Sequence, residues 1–172
     1  MDGTTDPERR AEEDARYMAM ALAQAETAVT RGQTPFGAVV VDRRGQLIGA
    51  GHNTVRADLD PTAHGEVVAL RAAWRRVGQW PLLAGSTLYT SCEPCLLCSF
   101  VITQIGIARV VFAARGTDVP TYRPLLGADL VEVATWVNAQ SGWTPLEVVG
   151  DVMRERAREI IATFPWAKAD AR

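Results

Sequence analysis

Two short stretches, His64-Gly65-Glu66 and Pro94-Cys95-Leu96-Leu97-Cys98, decide how this chain is organised. Together they supply one imidazole, two thiols and one carboxylate. Two thiolates at C-x-x-C spacing and one imidazole form a nitrogen and sulfur site that suits zinc. Three protein ligands leave one position of a tetrahedral zinc open for water, which is typical of a catalytic zinc. The sequence therefore predicts a catalytic Zn²⁺ on His64, Cys95 and Cys98.

Glu66 follows His64 by two residues, and we expect it to carry protons without binding the metal. Zinc lowers the pKa of a bound water to about 7. Glu66 is placed to take the proton of that water and to pass it to a ring nitrogen and then to departing ammonia. H-x-E followed by P-C-x-x-C is a known signature of zinc deaminases. The two motifs together predict hydrolytic deamination.

Cys92 leaves a second interpretation open. With His64, the series Cys92, Cys95 and Cys98 would make a closed Cys₃His set, which is typical of a structural zinc in a binding module. Cys92 precedes Pro94 and lies outside the helix that we predict there, so it need not face the metal. A closed site would also give Glu66 no role.

Composition argues against several classes of protein. The 172 residues suffice for one domain, 1–172, with 48% hydrophobic and 22% charged residues. The net charge of −2 and the pI near 5.7 argue against a dedicated nucleic-acid surface, which is usually basic. No apolar run reaches the length of a membrane span, and three clustered cysteines do not indicate a disulfide framework. We expect a cytoplasmic protein with no membrane or nucleic-acid partner.

Hydrophobic periodicity and capping residues predict an α/β chain. A first helix opens at Asp6-Pro7 and ends near Gly32. Further helices are predicted at 63–77, 94–105 and 146–164, and strands at 36–41, 47–51, 86–90, 109–114 and 130–137. Two β–α–β passages imply parallel pairing with right-handed crossovers. The expected fold is a three-layer α/β/α sandwich with a five-stranded mixed sheet whose first strand is antiparallel.

Both metal-binding stretches fall in the first turns of predicted helices. Unpaired N–H groups at a helix start create a positive potential that lowers the pKa of a cysteine there. The predicted secondary structure therefore favours the thiolates that zinc requires.

Four stretches of the sequence resemble the cytidine-deaminase-like superfamily. They read TPFGAV (34–39), GHN (51–53), DPTAHGE (60–66) and LYTSCEPCLLC (88–98), and the resemblance covers about residues 10 to 118. The branch concerned contains guanine deaminases, fungal-type cytosine deaminases and tRNA adenosine deaminases. The residues of the last two stretches are most similar to those of bacterial guanine deaminases. Gly65 and a tryptophan-bearing tail are more similar to fungal cytosine deaminases.

This resemblance implies the same zinc ligands, with Glu66 as proton shuttle. It implies a homodimer in which the C-terminal helix and tail, 146–172, close over an active site. It also implies substrate contacts from four residues: Asn53, Phe36, Gly65 and Trp166.

Plainer roles for these residues stay open. Asn53 is also a common turn-capping residue, and Phe36 also suits a strand core. Phe164 and Trp166 could cover apolar surface instead of a site. His52 is expected to be structural, because the motif already supplies its histidine.

The acid that reads the base is not fixed by the sequence. Asp118 and Asp129 follow the fourth predicted strand, and Asp170 lies in the tail. A site built around specific hydrogen bonds discriminates strongly between substrates. The identity of this acid therefore bears directly on the substrate.

We expect deamination of a free amino-substituted nucleobase, of guanine type first and of cytosine or amino-triazine type next. The alternative within the enzyme class is a tRNA or nucleoside deaminase acting on adenosine or cytidine. For an RNA substrate we expect binding affinity to fall steeply with added salt, and we expect basic side chains around the entrance of the site.

Overall fold

The computed structural model describes residues 6–78, 83–120 and 129–166. The helices in this part of the chain are α1 (Pro7–Thr30), α2 (Val55–Asp58), α3 (Gly65–Val77), α4 (Leu96–Gln104), α5 (Asp129–Asn138) and α6 (Arg154–Ala162). The strands are β1 (Gly37–Val41), β2 (Leu47–His52), β3 (Thr87–Cys92), β4 (Arg109–Ala114) and β5 (Glu147–Val149). A 3₁₀ turn, Gly116–Asp118, follows β4.

The five strands form one sheet in the order β2-β1-β3-β4-β5. Strand β1 is antiparallel to β2 and β3, whereas β3, β4 and β5 are parallel. Helix α4 connects β3 to β4, and α5 lies between β4 and β5, as parallel pairing requires. The predicted five-stranded mixed sheet is confirmed.

Alternate strand residues face two separate cores, one on each side of the sheet. Val39, Tyr89 and Val111 pack against helices α1 and α6. Val40, Leu88 and Val110 pack against helices α3, α4 and α5. This alternation follows from the two-residue period of a strand. It produces the three layers of the predicted α/β/α sandwich.

Two predicted elements near the C-terminus are wrong. Residues 130–137, expected to be a strand, form helix α5. Its buried residues recur at helical spacing, at Leu130, Val133, Ala134 and Val137. The predicted helix 146–164 is divided into edge strand β5 and helix α6. The valine-rich residues at its start pair with β4, so the fifth strand comes from there.

No helix in the described ranges is both long and apolar enough to cross a membrane.

Candidate metal centre and active site

The candidate site lies at the edge of the sheet where β3, β4 and β5 end and β1 begins. In open sheets with parallel strands, ligands bind outside the carboxyl ends of the strands. His64 is the N-cap residue of α3, and Cys95 is the N-cap residue of α4. Both residues therefore lie one position before the helical turns in which we expected them. The packing of α3 and α4 on the same face of the sheet brings the two stretches together.

Three side chains at this edge form a metal-binding geometry. Nδ1 of His64 lies 3.5 Å from Sγ of Cys95 and 3.5 Å from Sγ of Cys98. All three donor atoms lie within 4.8 Å of one another. With bonds of about 2.3 Å to sulfur and about 2.0–2.1 Å to nitrogen, a tetrahedral zinc separates these ligand atoms by roughly 3.5 Å. The donor set and its spacing fit Zn²⁺ without rearrangement.

The two thiols of this group differ in how readily they lose a proton. The hydrogen bond from Cys98 lowers the pKa of Cys95 to about 4, and His64 acts in the same direction. The hydrogen bond with Cys95 and burial raise the pKa of the second thiol, Cys98. The pair therefore shares a proton, which a bound metal would displace because metal binding releases the protons of its ligands.

Glu66 lies in the first turn of α3 and is only 6% exposed. Burial raises the pKa of its carboxyl group to about 7, with the Cys95 thiolate acting in the same direction. A bound Zn²⁺ would lower this pKa by its charge. Glu66 interacts electrostatically with His64 and Cys95, and it lies outside the metal-binding group that these two residues form with Cys98. A carboxyl group in such a position is suited to proton transfer.

Cys92 does not join the metal-binding group. Its sulfur lies 3.8 Å from the carbonyl oxygen of Arg115, and the side chain belongs to the core beneath α1 and α6. Burial raises the pKa of this thiol well above its usual value. In the described part of the chain, the group able to hold a metal consists of His64, Cys95 and Cys98. The closed Cys₃His arrangement is therefore not formed.

Asn53 follows β2 and lies beside the start of β1. Its backbone N–H donates to the carbonyl oxygen of Phe36, at 2.9 Å. Its side-chain oxygen accepts the N–H of Val55, at 3.2 Å, and the residue is only 4% exposed. Asn53 therefore performs the turn-capping role.

Gly65 allows the start of α3 to approach the start of β1. A Cβ atom at this position would lie 2.9 Å from the carbonyl oxygen of Phe36 and 3.1 Å from Cα of Gly37. Both neighbours are backbone atoms that cannot rotate away. The absence of a side chain therefore sets the distance between Phe36 and the metal-binding N-cap His64.

We expect Gly65→Ala to destabilise the fold by about 1–3 kcal/mol, because overpacking against backbone forces a shift. The same shift should displace His64 and weaken zinc binding. Gly78→Ala, at the other end of α3, is the matched control: a Cβ there has open space, although φ is +65°. It should cost stability without changing zinc affinity. Urea unfolding and zinc competition titrations measure the two effects, and equal zinc affinity in both variants would contradict the assignment.

One aromatic side chain before β1 and two after α6 form one wall beside the site, which we call the aromatic wall. It consists of Phe36, Phe164 and Trp166. The ring of Trp166 lies 6.3 Å from that of Phe36 and 4.8 Å from that of Phe164, between centroids. The guanidinium of Arg56 lies 5.6 Å from the centre of the Phe164 ring. The tail of this chain thus packs against the start of its own β1.

The three candidate acids have different surroundings. The carboxylate of Asp118 is held by Arg154, and that of Asp129 accepts the N–H of Leu96, at 3.2 Å, beside ligand Cys95. Asp170 lies outside the described residues. The ion pair of Asp118 was missed from the sequence because its partner is 36 residues away and carries no motif.

Residues 11–114 match the zinc-binding region of the cytidine and deoxycytidylate deaminases. The chain belongs to this family of zinc-dependent deaminases. The predicted family and the predicted Zn²⁺ are confirmed by this match together with the His64, Cys95 and Cys98 group.

Relatives that match this chain include tRNA-specific adenosine deaminases and a guanine deaminase. The chain is 38% identical to a tRNA-specific adenosine deaminase of Aquifex aeolicus, over 57% of this chain and 64% of that protein. It is 45% identical to a guanine deaminase of Bacillus subtilis, over 49% of this chain and 53% of that protein. The chain thus spans less than two thirds of either relative. The solved structure of a guanine deaminase from Nitrosomonas europaea superposes with a TM-score of 0.68 at 25% identity, covering 93% and 85% of the two chains.

Proposed function

We propose that this protein removes an amino group hydrolytically from a free nucleobase, of guanine type first, and releases ammonia. The observation that carries the proposal is the buried carboxyl of Glu66 beside a group of three donor atoms. Three protein ligands leave a tetrahedral zinc one position for water. A proton carrier next to such a position has the geometry that hydrolysis requires.

In this mechanism Zn²⁺, held by His64, Cys95 and Cys98, would supply an activated water. Glu66 would accept one proton from the attacking water and deliver it to the ring nitrogen next to the carbon to which the water oxygen bonds. It would then carry the second proton of that oxygen to the amino group, so that the C–N bond breaks, ammonia leaves and the ring carbon keeps the oxygen as a carbonyl. Water is consumed, one C–N bond breaks and no redox partner is needed.

The base would be held by Asn53 and by the aromatic wall. Because the side-chain oxygen of Asn53 is already bonded to Val55, its side-chain nitrogen would donate to an acceptor on the base. Phe36 offers an apolar surface next to Gly65, and Trp166 extends that surface. A planar ring packs well against aromatic faces of this kind.

The net charge of the chain and the position of its C-terminal aromatic residues support the proposal of a small substrate. The formal charge of −2 gives little attraction for a polyanion. Phe164 and Trp166 pack against Arg56 and Phe36, so they narrow the approach to the site from the side of α6. Cytosine and amino-triazines remain the next candidates. The homodimer and the closing role of 146–172 remain predictions.

A tRNA adenosine deaminase is the second candidate, because several matching relatives carry that name. An RNA substrate would need cations near the mouth, and Arg56 is one such residue beside the aromatic wall. Steep loss of binding with added salt would accompany that substrate. The earlier expectation of no nucleic-acid partner therefore requires a direct test.

The two candidates predict different results in one screen of the zinc-loaded protein for ammonia release. The substrates are guanine, isoguanine, cytosine, adenine, their nucleosides, amino-triazines and transcribed tRNA. We expect turnover of a free base whose rate changes little between 50 and 200 mM salt, values chosen to span the range over which phosphate contacts weaken. Activity on tRNA with none on any free base would replace the first candidate by the second.

A further inference from the structure

The carboxylate of Asp118 accepts hydrogen bonds from Arg115, which follows β4, and from Arg154, which begins α6. Its two carboxylate oxygens accept hydrogen bonds from Nε and Nη2 of Arg154, at 2.8 and 2.9 Å. One of them also accepts the backbone N–H of Arg115, at 2.9 Å. The side chain of Asp118 is only 8% exposed. A paired guanidinium and carboxylate with this geometry fixes orientation as well as distance.

The segment between β5 and α6 is held in an unfavourable backbone conformation. Asp151 and Met153 have φ angles of 67° and 57°, although neither is glycine. Such conformations persist only where surrounding contacts enforce them. Here Asp151 is bound by the guanidinium of Arg115, at 2.8 and 2.5 Å, and the N–H of Val152 donates to Phe112 of β4. The end of β4 therefore fixes where α6 begins.

Helix α6 connects this anchor to the aromatic wall. Its nine residues span about 13 Å from Arg154 to Ala162. Ile160 and Ile161 on its inner face are buried against α1 and β4. The indole N–H of Trp166 donates to the carbonyl oxygen of Ile161, at 3.0 Å, so the wall is attached to the end of the helix. A rotation at the start of α6 would therefore displace Trp166 from Phe36.

We infer that Arg154 is a positioning residue, which acts through Asp118 and α6 to hold the aromatic wall against the site and so sets substrate affinity. This inference rests on the proposed function, because the wall is there assigned to hold the base. It gives Asp118 a role different from reading the base directly. Asp118 does not belong to the metal-binding group, and the guanidinium of Arg154 is bound to Asp118.

The kinetic test is a double-mutant cycle with Arg154→Gln and Trp166→Ala, using whichever base the wild type deaminates. Arg154→Gln should raise KM about fivefold and leave kcat unchanged, as expected for loss of a partly exposed ion pair that does not contact the reacting atoms. In the Trp166→Ala background the same change should have no further effect on KM. Arg10→Gln, which removes an exposed ion pair to Glu147, is the control and should not change KM.

Hydrogen exchange provides a readout that needs no activity. The amides of Phe164 and Trp166 donate to Ile161 and Phe164, and both should exchange faster in Arg154→Gln and Asp118→Asn than in the wild type. Unchanged exchange in both variants, or an equal KM effect with and without Trp166, would overturn the inference. If the wild type deaminates no base, the proposed function fails, and exchange alone still decides whether Arg154 holds the wall.

Discussion

Glu66→Gln should lower kcat by about 10²–10⁴-fold, the usual contribution of general acid–base catalysis. Glutamine has the size of glutamate but cannot accept and return a proton at neutral pH. The carboxyl lies outside the metal-binding group, so zinc content should stay at the wild-type level. Its burial next to the cluster means that an isosteric change should also preserve the packing at the start of α3.

Steady-state kinetics and metal analysis of the same preparation separate the two roles. Glu93→Gln is a matched control, because Glu93 lies two residues before Cys95 in the sequence but its carboxylate accepts the N–H of Gly116, at 3.1 Å. Glutamine can still accept that bond, so kcat should change less than tenfold. A Glu66→Gln enzyme that deaminates at near-normal speed would show that the proton carrier is another group. Loss of zinc in that variant would instead make Glu66 a determinant of metal binding.

Cys95→Ser should weaken zinc binding by more than about 100-fold, since losing a ligand costs more than losing a supporting contact. Activity should fall with the metal content, because two remaining ligands do not fix a tetrahedral ion. Cys92→Ala removes a thiol that lies near Arg115 and away from the cluster. It should keep full metal and turnover, with only a modest loss of stability from the core.

Competition with a chromogenic chelator gives the zinc affinity of each variant, and ammonia release gives its activity. The contrast between the two cysteines distinguishes an open catalytic site from a closed structural one. If Cys92→Ala loses tight zinc binding, the protein is a structural zinc module. Equal zinc affinity of Cys95→Ser and wild type would remove Cys95 from the ligand set.

The metal-binding group was predictable because its residues lie in two short stretches of the sequence. His64 and Glu66 are two residues apart, Cys95 and Cys98 are three apart, and each pair begins a helix that capping and spacing already indicate. The structure adds that the starts of α3 and α4 lie next to each other. The orientation of the Cys92 side chain decides between an open and a closed zinc site. That orientation depends on which side of the sheet the side chain faces, and a single sequence does not specify it.

The C-terminal third was harder to predict for physical reasons. Residues 130–137 are rich in valine, which favours strands, but their burial follows a helical period and tertiary packing decides the outcome. Strand β5 has only three residues and is stabilised by pairing with β4, so its local signal is weak. The contact between Arg154 and Asp118 joins distant parts of the chain.

The placement of the ligands on two separate helix starts has a consequence for how the protein acquires its cofactor. Helices α3 and α4 are each anchored to the sheet by their own apolar residues, such as Leu70 and Ile102, whether or not an ion bridges them. We therefore expect the metal-binding group to keep its geometry without the ion, unlike a zinc finger, whose folding depends on the metal. Depleted protein should remain native and accept a substitute such as Co²⁺, whose absorption bands would then report directly on the coordination sphere.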